Sequence, residues 1–129
     1  MKAKDIMTDV VKTLSPETSI FDAIDILVEN KISGAPVVDD DMNVLGVVSE
    51  KDLLVSLDFL GEEKAAQTPV KEFMSKDVVS FEPEVSAKHI MQELVRKNIK
   101  RVPIVSEKKL IGIVSRRDVL RYIRRNTQK

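Results

Sequence analysis

Gly46-Val47-Val48-Ser49-Glu50-Lys51-Asp52 decides how this chain is read, because it recurs as Gly112-Ile113-Val114-Ser115-Arg116-Arg117-Asp118. Glycine, serine and aspartate stand at the same offsets in both copies. Each copy follows a β-branched run and precedes an apolar-periodic stretch, which reads as strand, turn and helix start. Ser49 is expected as an N-cap, with Asp52 three residues on at the N3 position of a capping box. The same geometry aims free backbone N–H groups and the positive end of a helix dipole outward, which suits an anionic ligand.

Working outward, the duplication extends over most of the chain. An offset of 67 aligns Met7 with Met74, Val11 with Val78, Pro16 with Pro83 and Glu17 with Glu84. It also aligns Ser19 with Ser86, Leu27 with Leu94, Ile32 with Ile99 and Pro36 with Pro103. Past a one-residue gap near Met42, an offset of 66 brings Gly46, Ser49, Asp52 and Leu54 onto Gly112, Ser115, Asp118 and Leu120. A single gap inside an expected hairpin turn is what duplication of a folded unit leaves.

Each repeat reads as β-α-β-β-α. Val10–Leu14 is a short strand ended by Ser15-Pro16, and Ser19 caps a helix with apolar positions Ile20, Ala23, Ile24, Leu27 and Val28. Its counterpart, capped by Ser86, carries Ala87, Ile90, Met91, Leu94 and Val95. Ala35–Val38 and Val44–Val48 form a hairpin about Asp39–Asn43, and a second helix follows with Leu53, Leu54, Leu57 and Leu60 as its buried stripe. The expected division is residues 1–60, a linker at 61–69 that ends in Thr68-Pro69 and joins onto a short helical turn near Met74, a second unit at 70–125 and a tail at 126–129. Units of this size bury little alone, so the expected α+β fold has two small three-stranded sheets packed about a pseudo-two-fold, with related clefts between the units.

Composition narrows the function. With no cysteine among 129 residues, thiolate metal sites, disulfides and cysteine nucleophiles are excluded. No apolar run reaches the ~18–20 residues of a membrane span, and the start lacks a signal-peptide core, so a cytoplasmic location is expected. The only histidine, His89, sits beside the apolar stripe of its helix and is read as an exposed helix residue, not a general base. Asp39–Asp41 lacks the spacing of a calcium loop and reads as a solvated turn. The expectation is a non-enzyme without a required cofactor. Net charge is zero but polarised: residues 1–63 carry five basic and fourteen acidic groups, net −9, and residues 64–129 are net +9.

The two sets of motifs together resemble the tandem cystathionine-β-synthase (CBS) domain pair, or Bateman module. The residues bearing the likeness are Thr13–Pro16, Ile32–Asp39 and Gly46–Leu54, then Ser80–Pro83, Ile99–Val105 and Gly112–Leu120. The resemblance implies a regulatory module that binds AMP, ADP, ATP or S-adenosylmethionine between paired units. In the family the motif aspartate accepts from both ribose hydroxyls, and the serine three residues earlier helps at ribose or phosphate. On that likeness, one site joins Ser49 and Asp52 to Val79, Ser80, Lys100, Arg101, Val102 and Pro103. The other joins Ser115 and Asp118 to Lys12, Thr13, Ser33, Gly34, Ala35 and Pro36, with Arg116 and Arg117 as candidate cations. First-strand residues are expected to line the adenine slot, and the residues before the proline to face the phosphates. Lys100-Arg101 then makes the first site the one that favours phosphorylated adenosines.

Two other functions compete. A ligand-free interaction module would dimerise through exposed apolar residues such as Val55, Leu57, Phe59 and Ile123 and dock on a separate regulated protein. The polarised charge suggests an antiparallel homodimer in which acidic and basic halves meet. The run Arg116-Arg117, Arg121, Arg124-Arg125 and Lys129 offers a phosphate footprint for nucleic acid, but Tyr122 is the one aromatic there for base stacking.

Overall fold

The structure, a computed structural model, describes residues 1–127. In chain order its elements are α1 (Ala3–Ile6), α2 (Ile20–Glu29), β1 (Gly34–Val38), β2 (Val44–Ser49), α3 (Glu50–Leu60) and α4 (Glu62–Ala65). A 3₁₀ turn at Val70–Glu72 leads to α5 (Ala87–Arg96), β3 (Arg101–Ser106), β4 (Lys109–Ser115) and α6 (Arg116–Thr127). They gather into two compact units, residues 12–78 and residues 1–11 with 79 onward. The segment leading into each repeat therefore packs on the other repeat, so the repeat in sequence and the unit in space are different sets of residues.

In the 12–78 unit, β1 and β2 pair antiparallel with Gly34 opposite Ser49. Ser19 caps α2 by accepting from the Asp22 N–H at 3.1 Å. The helix closes with Ile32 N–H donating to the Leu27 carbonyl and Lys31 N–H to that of Val28, with Lys31 at φ 54°. That is a Schellman ending without its usual glycine. Leu14, Ile20, Ala23, Leu27, Val37, Val48 and Leu53 form the core, joined by Ala65 and Val70 from the lead-in to the second repeat. The other unit repeats this plan. Ser86 caps α5, Asn98 takes the same left-handed position at φ 52°, and Ile90, Leu94, Val102, Ile104, Val114 and Val119 pack with Ala3 from the N-terminal lead-in.

The lead-ins are held by matching contacts. Lys4 N–H donates to the Pro83 carbonyl and Lys71 N–H to that of Pro16, while Ala3 and Val70 reach Val85 and Thr18. Lys71 pairs with Glu17 at 2.6 Å; its equivalent Lys4 pairs with Glu84 at 2.9 Å, with Lys2 on the other Glu84 oxygen. The hydrogen bonds from Lys2 and Lys4 pull the Glu84 carboxyl down to about 2. Downstream, Thr8 and Ile113 exchange backbone hydrogen bonds, as do Ser75 and Val47.

The sheets differ from expectation. Each is two-stranded, and the expected first strand survives as one parallel bridge, Leu14 with Val37 and Phe81 with Ile104. Leu14 N–H donates to the Pro36 carbonyl and Val38 N–H to that of Leu14, both at 2.9 Å. The next rung in one direction needs an N–H from Pro36 and in the other an N–H from Pro16, and proline has none. Pro103 and Pro83 end the second ladder in the same way. Four of the five prolines thus confine each edge to a single rung.

Some packing expectations also change. Val28 and Val95, at equivalent positions in α2 and α5, are exposed beside the buried stripes Ile20, Ala23, Leu27 and Ala87, Ile90, Leu94. In α3, Leu54 faces outward, and Ser56 is fully buried instead, its hydroxyl donating to the Leu53 carbonyl at 2.6 Å. Leu57 packs against the core, unlike Val55, Phe59 and Ile123, which are exposed. The stretch read as linker folds into α4 behind Gly61, whose φ of 80° favours glycine. Of the expected 126–129 tail, residues 126 and 127 belong to α6; 128 and 129 lie outside the described residues.

The motif glycines are explained by the lead-ins. A Cβ on Gly46 would stand 2.7 Å from the Ser75 carbonyl oxygen and 2.8 Å from Met74 Sδ. A Cβ on Gly112 would meet Met7 Sδ at 2.5 Å, with the Thr8 carbonyl oxygen farther off at 3.1 Å. A thioether can swing aside, whereas a paired carbonyl cannot. Gly46→Ala is therefore expected to destabilise by about 1–3 kcal/mol, and Gly112→Ala by less, in urea unfolding. Equal losses at the two positions would contradict this account.

Candidate functional site

Within each unit the strand–turn–helix stretch brings the sequence-predicted residues to one end. In the 12–78 unit, Gly34 stands opposite Ser49, and the Glu50 N–H donates to the Ser33 carbonyl at 3.0 Å. Ser33, Gly34, Ser49 and Asp52 thus converge, with Ala35 and Pro36 buried next along β1. In the other unit Arg101 stands opposite Ser115, and the Arg116 N–H donates to the Lys100 carbonyl at 3.1 Å. Lys100, Arg101, Ser115 and Asp118 converge in the same way, followed by buried Val102 and Pro103. Lys12-Thr13 and Val79-Ser80 precede the single parallel rungs, so their backbone lies beyond the ladders that the prolines cut short.

Both capping boxes form, yet the two aspartates are not equivalent. Asp52 Oδ2 accepts from the Ser49 N–H at 2.8 Å and the Ser49 hydroxyl at 3.0 Å. Its Oδ1 makes no hydrogen bond among the described residues, and the residue is half-buried. Asp118 Oδ2 accepts the same pair from Ser115, at 2.7 and 2.9 Å. Its Oδ1 additionally accepts from the Thr8 hydroxyl and from Arg121 Nη1, each at 3.0 Å. Asp118 is only 5% exposed. From the sequence, Arg121 counts only as part of the basic run and Thr8 carries no role, so neither is expected at Asp118. The tell-tale signal was the mismatch between repeats, with Ser75 at the position of Thr8 and Val55 at that of Arg121.

The remaining candidates find more local roles. Arg116 donates from Nε to the Ile99 carbonyl and from Nη2 to Asn98 Oδ1, tying down the turn after α5. Arg117 lies with Leu120, Arg121 and Arg124 along an open groove on α6. With Arg116 and Arg121 engaged internally, the basic face is narrower than its sequence suggests, and Lys129 lies outside the described residues. His89 is exposed and meets the Phe81 ring edge-on, with centroids 5.6 Å apart. Asp39 receives the N–H groups of Asp41 and Asn43, each at 2.9 Å, which closes the hairpin turn. Among the described residues no group of three or more His, Cys, Asp or Glu side chains is arranged to hold a metal ion. No helix there is long and apolar enough to cross a membrane.

The CBS-domain family model matches residues 3–58 and again residues 70–125. The chain belongs to the CBS-domain family. A CBS domain-containing protein of Bacillus subtilis, YhcV, is 33% identical over 116 residues, covering 90% of this chain and 81% of that protein. Inosine-5'-monophosphate dehydrogenase of Methanocaldococcus jannaschii is 32% identical over 93% of this chain, which spans only 23% of that enzyme. Another M. jannaschii relative, MJ1225, is matched over 42% of its length. Among solved structures, CBSX2 in complex with AMP superposes with a TM-score of 0.88 at 31% identity, covering 98% of both chains. The CBS domain pair of MJ0100, at 23% identity and a TM-score of 0.85, shares the fold. The chain is thus a tandem CBS-domain pair.

The hydrogen bonding separates the two CBS motifs energetically. Asp118→Ala loses the bonds from the Thr8 hydroxyl and the Arg121 guanidinium, two groups that then turn to water, besides losing the cap. It is expected to cost about 2–4 kcal/mol, against about 1 kcal/mol for Asp52→Ala, which loses a cap alone. Thermal unfolding of both variants checks the order, and an Asp52→Ala loss as large as that of Asp118→Ala would contradict it.

Proposed function

We propose that this CBS pair is a regulatory sensor of adenosine-containing ligands, with Asp52 as an acceptor for the ribose hydroxyls. The observation that carries the reading is the open Asp52 Oδ1 at the head of α3, oriented by Ser49 beside the start of β1. A carboxylate accepts two hydroxyl donors at once and donates nothing, which matches a vicinal diol. AMP, the ligand in the CBSX2 complex, makes an adenosyl nucleotide the first choice. Backbone groups of Lys12-Thr13 and Val79-Ser80, outside the ladders, suit the edge of a base. Lys100 and Arg101 in one unit, and Ser33 with the Gly34 backbone in the other, suit phosphate or a less anionic group. Binding that orders this surface would change what a regulated protein meets there.

Calorimetric titration with AMP, ADP, ATP and S-adenosylmethionine tests the reading. Saturable binding of AMP that is lost in folded Asp52→Ala is expected. Absence of heat with all four, from folded protein free of carried-over nucleotide, would remove it.

A specific observation also favours self-association. Val28 and Val95, and Leu54 and Leu120, are repeat-equivalent pairs, and all four are largely exposed. Helices α2 and α3 carry six acidic groups and one basic, net −5, whereas α5 and α6 carry seven basic and two acidic, net +5. Apolar patches of matching kind with opposite charge fit a second copy, α3 of one chain against α6 of the other. Sedimentation at low salt should show a dimer that weakens at high salt and dissociates with Leu120→Asp. A monomer at both salts would refute the pairing.

A further inference from the structure

We infer that Thr8 and Arg121 are specificity-determining residues that close Asp118 to a ribose diol, so that the chain takes one adenosyl ligand, on Asp52, and not two. The inference rests on the ligand-sensing reading and adds which of the two motifs is open. A carboxylate offers about four acceptor positions. At Asp118 all are engaged: two by the N–H and hydroxyl of Ser115, one by the Thr8 hydroxyl and one by Arg121. A ribose entering there has to displace both Oδ1 donors, leaving a hydroxyl and a guanidinium to find other partners. At Asp52 neither equivalent position supplies a hydrogen bond. Val55 has no polar group, and the Ser75 side chain makes no bond to Asp52, although its backbone pairs with Val47 just as that of Thr8 pairs with Ile113.

The cavity beside Asp118, walled by Met7, Thr8, Arg121, Tyr122 and Arg125, holds about 200 Å³. Pockets for drug-sized ligands run to roughly 300–1,000 Å³. Thr8 is carried by the N-terminal lead-in, which the Lys4–Glu84 pair and the Ile113 backbone bonds hold in place. The closure is therefore built from a segment far away in sequence.

Two reciprocal variants test this with AMP as the calorimetric probe. Thr8→Val with Arg121→Leu removes both donors and leaves Asp118 in place. The stoichiometry should rise from one AMP per chain to two. Val55→Arg adds the missing guanidinium beside Asp52, and Ser75→Thr gives the existing hydroxyl there the threonine form it has at Thr8; at these two exposed positions the pair should weaken AMP binding about tenfold or more, the scale of a charge-assisted hydrogen bond. Two equivalent sites in the unaltered protein would overturn the inference. So would unchanged affinity in the folded Ser75→Thr/Val55→Arg protein, which stays decisive if the first variant fails to fold. Either result leaves the sensor reading standing, whereas absence of AMP binding in the unaltered protein and both variants would overturn that reading as well.

Discussion

The backbone pairing of each lead-in segment against the motif strand of the other repeat governs what the rest of this molecule can do. Thr8 lies on Ile113 and Ser75 on Val47, close enough that a Cβ on the residue before each strand partner is crowded, most severely at Gly46. Because the approach is backbone to backbone, it fixes the lead-in to within a hydrogen bond's tolerance. The same segments supply Ala3, Ala65 and Val70 to the two cores. A unit of roughly sixty residues is marginal by burial alone, so borrowing an extra layer of chain contributes to its stability.

Proline works in the opposite direction. Pro36 and Pro103 sit inside β1 and β3, where a missing donor is tolerated at a sheet edge. With Pro16 and Pro83 they hold the parallel pairing to a single rung, which leaves the backbone of residues 12–13 and 79–80 out of the ladder. A fully formed third strand would have used those groups internally. The short sheet and the candidate ligand-reading backbone therefore have one cause.

Duplication supplied two motifs of the same geometry, and divergence at positions outside them separated their chemistry. Ser49 with Asp52 and Ser115 with Asp118 have the same spacing and the same capping bonds. What differs is what stands beside them, Val55 against Arg121 and Ser75 against Thr8. A carboxylate with an open oxygen can recognise something; one with its lone pairs engaged holds its own surroundings together. The cap and the binding group are therefore not competing descriptions of one residue type. Asp52 can be both, because its cap uses only Oδ2.

The duplication, the hairpins, the four main helices with their serine caps, and the family are legible in the chain alone, because all of these rest on local periodicity and on motif spacing. So is the gathering of the motif residues at one end of each unit, since strand, turn and helix start are contiguous. The sequence could not show which segment packs on which repeat. The helical lead-ins carry the same signals whichever partner they meet, and the choice is made by contacts between residues some eighty positions apart, such as Lys4 with Glu84. The third strand was overestimated for a related reason: β-branched runs report a preference for extended chain, while the number of rungs depends on donors in another strand. The inequality of Asp52 and Asp118 belongs to tertiary structure alone. Thr8 lies 110 positions from Asp118, and no local pattern marks a hydroxyl as the donor that fills a distant carboxylate.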